Sequence, residues 1–161
     1  MKLLFSFILS VAFIGNPNLA SIRKLYPAVT KSEDNAKDFT AKLASVSDND
    51  DAVLVGYKAA SIVLSSRYEK KTQSKKDHFK EGVKLLEATI KKEPNNVEIR
   101  MIRLSIQETV PPITGYKKNI KEDKKYITAH YTEQSATLKE YLKDFVLQSK
   151  SFSEKEKQFM K

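Results

Sequence analysis

An all-α domain of about six to eight helices, arranged as antiparallel hairpins in a compact or short solenoid-like bundle, is the fold this sequence predicts. Three observations carry that expectation. Apolar residues recur at helical spacing over most of the chain, no stretch alternates convincingly with period two, and prolines and capping residues fall between the apolar stripes. The chain has 161 residues, one domain's worth, and its 40% apolar content suffices for a small core.

The first twenty residues differ from the rest. Met1-Lys2 is a short positive region, and Leu3 to Ile14 is an apolar stretch broken only by Ser6 and Ser10. Gly15, Asn16 and Pro17 then interrupt any helix, and Ala20 supplies a small residue at a cleavage position. The pattern is that of a secretory signal peptide over 1–20, because the apolar run is too short to span a hydrocarbon core of about 30 Å. A retained anchor or a buried first helix is the competing reading. Export predicts a periplasmic or secreted protein, with 21–161 as a single helical domain.

Residues 22–44 read as two helices or one interrupted helix, with Pro27 inside the first and Ser32 able to cap the second. Segments 46–51 and 69–76 read as polar connections. Between them, residues 52–64 are apolar or small nearly all the way round, which marks a central helix packed on several sides. Phe79, Val83, Leu86 and Ile90 form the stripe of an amphipathic helix whose other faces carry Lys80, Glu81, Lys84, Glu87 and Lys91. After Pro94, Asn95 and Glu98 have capping-box spacing, and Ile99, Ile102 and Ile106 form the next stripe. Pro111-Pro112 must end that helix, since neither proline has an N–H to donate. Tyr116, Ile120, Ile127 and Tyr131 mark another helix, and Leu138, Tyr141, Leu142 and Phe145 the one after it. Ser153 and Glu156 predict a second capping box opening a short terminal helix.

The segment 52–110 resembles a degenerate helix-turn-helix repeat of the tetratricopeptide kind. Pro94 stands where such repeats place a proline, Gly82 twelve residues earlier at the small position, and Leu86 eight earlier at the large apolar one. Thr89 takes the place of the usual alanine, Val55-Gly56 can supply the small contact of the first helix, and the chain lacks Trp and a second complete copy. More broadly, Gly56 to Ala60, Phe79 to Glu87, Glu93 to Arg100, Pro111 to Tyr116 and Asn119 to Lys124 look like segments of a group of small exported helical proteins from Bacteroidota. That resemblance implies export and a helical fold, and it carries over no catalytic residue.

Composition excludes several chemistries. With no Cys there is no disulfide framework, thiol nucleophile or Cys-ligated metal. His78 and His130 belong to no metal-spaced pair, and Asp48-Asn49-Asp50-Asp51 lacks the glycine and distant glutamate of a calcium loop. No phosphate loop, nucleophile elbow or dinucleotide fingerprint is present. The expectation is therefore a protein that is not an enzyme and uses no cofactor or metal.

The most specific polar cluster is Glu98, Arg100, Arg103 and Gln107 on one helix, followed by Tyr116, Asn119 and Asp123 after the Pro-Pro turn. Arg103 and Gln107 share a helix face, as do Asn119 and Asp123. An Arg103–Asp123 ion pair stapling two helices is the simpler reading. The functional one gives Arg100, Arg103, Gln107, Tyr116, Asn119 and Asp123 to an anionic ligand or a peptide carboxylate.

The net charge is +9, and Lys2 is the only charge in residues 1–20, so the chain without them carries +8. Residues 67–92 hold nine Lys/Arg against four Asp/Glu, and 117–125 five against two. Most of these lysines alternate with glutamates as on a solvated face, and with export expected nucleic acid is not the anticipated partner. Weak, salt-sensitive contact with an anionic envelope surface fits the surplus better. The leading expectation is an exported interaction module for a protein or peptide. The alternative is a small-ligand-binding or hydrolytic protein with its site between the Arg103 and Tyr116 helices.

Overall fold

The computed structural model describes residues 17–160; the apolar run of the expected signal peptide lies outside them. Among the described residues there are eight α-helices and no strand, so the all-α expectation holds.

Helix α1 (Leu19–Leu25) is capped by the Asn18 side chain, which accepts from the Ser21 N–H. Pro27 ends it by converting the chain into a 3-10 turn at Tyr26–Ala28. The interrupted-helix expectation resolves here into two helices. Ser32 caps α2 (Glu33–Lys42) by accepting from the Asn35 N–H, and Glu33 and Asp34 place negative charge in its first turn.

Asp51 caps α3 (Ala52–Ser65) by accepting from Val53 and Leu54 N–H. Ten of the fourteen residues of α3 are buried, so this is the central helix that its all-round apolarity predicts. Each large aliphatic side chain buried there contributes about 1.5–3 kcal/mol. Helix α4 (Thr72–Lys92) follows and packs antiparallel on α3, with Lys92 near its end donating to the Asp48 carbonyl before the start of α3. Gly82 allows that close approach. A Cβ there would lie 2.6 Å from Val63 Cγ2 and 2.8 Å from the Ala59 carbonyl oxygen. The expected connection 69–76 is corrected: only 69–71 connect, and α4 starts at Thr72 with a solvated first turn that offers no apolar stripe to read.

Helix α5 (Val97–Thr109) is buried over ten of its thirteen residues. Its cap is Asn96, one residue later than expected, accepting from Glu98 and Ile99 N–H. Glu98 does not complete a capping box, because its carboxylate is drawn into the core by Arg23 and Tyr57. Pro111 and Pro112 end α5 as expected, and Gly115, at φ +68°, turns the chain back. Helix α6 (Ile120–His130) runs antiparallel to α5: residue 100 faces 123, and Tyr126 reaches Asn95. Tyr116 lies before α6 rather than on it. Helix α7 (Ala136–Gln148) is capped by Ser135, and α8 (Glu154–Phe159) opens with the Ser153–Glu156 capping box that the spacing predicts.

One apolar cluster runs through all of this, from Ile22, Tyr26 and Phe39 through Tyr57, Leu86 and the α5 isoleucines to Ile127, Leu142, Val146 and Phe152. Tyr26, Phe39 and Tyr57 pack in tilted and edge-to-face contacts at its N-terminal end, with centroids 5.1 to 6.2 Å apart. Helices α3 and α5 form its middle, and Gly56 of α3 faces Ile99 and Ile102 of α5.

Candidate functional site

The six residues expected to form a site converge at the α5–α6 interface, where Arg100, Arg103 and Asp123 pair with one another. Arg103 donates from Nε to Asp123 Oδ2 and from Nη2 to Asp123 Oδ1, at 2.6 Å in both cases. Arg100 adds a third hydrogen bond to Asp123 Oδ1 at 3.0 Å and another to Glu122 at 2.8 Å. Its Nε donates to the Pro94 carbonyl, and its guanidinium lies 4.2 Å from the Tyr126 ring centroid. Asp123 is fully buried and Arg103 nearly so. A guanidinium fork matches a carboxylate edge to edge, which is why two arginines one turn apart can enclose a single aspartate from the facing helix.

Burial works against the Arg103 cation, but the hydrogen bonds and charge of Asp123 outweigh it and hold Arg103 more basic than in water. Burial likewise pushes the Asp123 carboxyl up, and the two arginines oppose it. Glu122, at the solvent edge, is held below its ordinary value by hydrogen bonds from Arg100 and Asn119. Tyr116 donates to Glu87 at 2.5 Å, and Glu87 also accepts from Arg103 at 3.1 Å, so α4 joins the cluster. Burial, then the Glu87 bond, raises the Tyr116 hydroxyl above its ordinary value. Gln107 reaches Asn119 over 3.5 Å, a weak contact, and its Oε1 is buried without a protein partner among the described residues. The geometry is that of a staple between α4, α5 and α6.

A second buried network joins residues that no sequence pattern brings together. Arg23 of α1 grips Glu98 of α5 at 2.8 and 2.5 Å, and the Tyr57 hydroxyl of α3 donates to Glu98 at 2.8 Å. The Tyr57 and Tyr141 hydroxyls lie 3.1 Å apart. A carboxylate can only accept, so the single Tyr57 proton goes to Glu98 and Tyr141 supplies the proton of the second bond. Four helices are tied by this chain. Its only sequence signal is a glutamate in the first turn of α5, which capping explains equally well.

Two of the clefts among the described residues bear on function. The first, of about 510 Å³, lies between α1, α5 and α7 and presents both signs of charge, Arg23 and Lys24 with Glu108 and Asp144. Arg23 and Glu108 are engaged there: Glu108 accepts from the Ser149 hydroxyl and the Ser151 N–H. The second, of about 590 Å³, runs between the first turns of α4 and the loop after α5. Val63, Leu64, Phe79, Val110 and Ile113 give it an apolar lining, and Arg67, Lys75, Lys76 and Lys80 are its only charged lining residues. Thr72, Lys75, Lys76, Phe79 and Lys80 share one face of α4, so the helix period itself lines up these cations. Among the described residues none of the four is paired with a carboxylate. In sequence this charge has the pattern of an ordinary solvated face, and only the fold turns it toward a cleft.

No group of His, Asp and Glu among the described residues is arranged to hold a metal ion, and no helix among them is long and apolar enough to cross a membrane. The chain matches no protein-family model, no curated protein and no solved structure.

Proposed function

We propose that this protein is an exported, non-enzymatic helical module that binds a segment of a partner protein. The observation that carries the reading is the groove between α4 and the loop after α5. It joins an apolar floor to four cations, none of which is paired with a carboxylate among the described residues. Its volume falls in the range of about 300–1,000 Å³ usual for binding clefts. Ile113 stands at its lip with 94% of its surface exposed, free to be covered by a partner.

The Arg103–Asp123 cluster is read as structure. Its charged groups are spent on one another, so a ligand entering there would have to break buried ion pairs. Export rests on the apolar run at 3–14 behind Lys2. The helix pair α3–α4 is read as a single repeat-like unit that presents the groove, and any contact with an anionic envelope surface would be secondary and salt-sensitive.

A photo-crosslinking amino acid at position 113 tests the reading in cells that make the chain. A discrete protein adduct is expected at 113 and not at Thr137, an exposed position on α7 away from the groove. Equal labelling at the two positions, or no adduct at either, would overturn it.

A further inference from the structure

We propose that the occupant of this groove is an acidic amphipathic helix of the partner, with apolar anchors on one face and carboxylates flanking them. The inference rests on the binding reading above and names its chemistry.

Charge is the first argument. Four cations with no carboxylate among the lining residues select an anion. They are also spread out. Lys75, Lys76 and Lys80 extend over about 7.5 Å of α4 at 1.5 Å per residue, and Arg67 approaches from the end of α3. A single carboxylate or phosphate head group engages one or two such cations. A row of glutamates three and four apart on a helix repeats every 5–6 Å or so and can meet all four.

Shape is the second. The apolar floor of Val63, Leu64 and Val110 lies between a helix wall and a loop wall, a trough suited to helix-in-groove docking with anchors at i, i+3 or i+4 and i+7. A membrane would need the cations on a convex face, whereas these line a concavity. A nucleic acid would need an open aromatic face to stack bases. The one aromatic lining residue, Phe79, is half-buried and packed edge-on against Tyr116, with centroids 6.2 Å apart.

One wall is rigid and the lip of the other is unfilled. Gly82 locks α4 against α3 within two turns of all three lysines, so the cations sit on a fixed helix. Ile113 opposite them is almost wholly exposed.

The test is fluorescence anisotropy with the full chain and a labelled amphipathic helical peptide carrying Leu at i, i+3 and i+7 and Glu on both flanks. A second probe has Gln in place of every Glu. Saturable binding near the micromolar range is expected, at least about tenfold weaker for the Gln probe and weakened by added salt. The double variant Lys75→Glu/Lys76→Glu should lose about tenfold or more, and Ile113→Ser a smaller factor. All three positions are exposed, so circular dichroism should show the fold unchanged. Equal binding of the two probes, indifference to the charge reversal, or no saturation up to roughly 1 mM overturns the proposal. Preference for phosphatidylglycerol vesicles or a single-stranded oligonucleotide over the peptide also overturns it. A protein adduct at position 113 together with a failed peptide would retain the binding reading and remove only this occupant.

Discussion

Arg103 of α5 and Asp123 of α6 are joined by two parallel hydrogen bonds of 2.6 Å at a point where both side chains are buried. The pair sits between Arg100 on one side and Glu87 on the other, so it fixes the register of three helices at once. Its value lies in not being broken: a buried ion pair contributes little net, but one half left alone is expensive.

Arg103→Met should therefore destabilise the fold by about 3 kcal/mol, toward the low end for a broken buried pair because Arg100 still reaches Asp123. The double variant Arg103→Met/Asp123→Leu should cost less than the sum of the two single changes, since it leaves no orphaned partner at this bond. Urea denaturation of the four proteins measures both quantities. A loss below about 1 kcal/mol for the single change would mean that the staple is not structural.

The helical fold was legible because its signals are local. The stripe 79–90, the Pro-Pro stop and the Ser153–Glu156 box each act within a turn or two, and each stands where expected. The convergence of Arg103 on Asp123 was legible as well, because a short turn can only return α6 antiparallel to α5. What escaped were arrangements that join distant segments. Glu98 pairs with Arg23, 75 residues away, and nothing at either position distinguishes that from capping or solvation. The groove escaped for the same reason. Its cations follow from the α4 period, but its far wall comes from residues 109–114, and whether a lysine row faces water or a trough depends on that wall.

The tyrosine chain predicts alkaline sensitivity. Burial pushes Tyr141 up to about 12 and raises Tyr57 and Tyr26 well above their ordinary value near 10. A hydroxyl whose folded pKa is raised contributes stability that is complete below the unfolded value and is lost as pH rises through the folded one. Stability should thus fall from about pH 10 toward pH 12. Tyr57→Phe removes one buried ionisable group and should flatten that slope, while costing about 1 kcal/mol or more at neutral pH through the orphaned Glu98 contact. Denaturation curves across the alkaline range check the slope; an unchanged slope would show that the chain does not couple to folding.

At the other end of the pH scale, Glu156 is held down to about 2 by the Ser153 backbone and hydroxyl and by Lys124. A lowered carboxylate contributes stability above its unfolded pKa, and that contribution disappears as pH falls through the folded one. Between about pH 4.5 and 2, then, α8 should loosen before the core does. Hydrogen exchange at 154–160 should accelerate over that interval, and Glu156→Gln should show the faster exchange already at pH 7. Protection at 154–160 that falls only together with that of α3 would contradict this.

Gly56 and Gly82 look alike in sequence, both inside helices and both facing another helix. Alanine at either position gains about 1 kcal/mol of intrinsic helix propensity, so the sign of each substitution is set by what the new methyl meets. At Gly82 it would meet the α3 backbone, 2.8 Å from both the Ala59 oxygen and the Val63 nitrogen, and a backbone cannot step aside. The helices must separate, an overpacking cost of about 1–3 kcal/mol. Gly82→Ala should therefore be destabilising despite the propensity gain, and it should widen the groove wall that carries Lys75, Lys76 and Lys80. At Gly56 the nearest atom is the Ile102 terminal methyl at 3.3 Å, which a small rotation relieves. Gly56→Ala should be neutral within about 0.5 kcal/mol or slightly stabilising. Thermal and urea denaturation of the two variants side by side decide the matter. If Gly82→Ala proves the milder change, the α3–α4 contact is looser than a glycine-dependent approach requires.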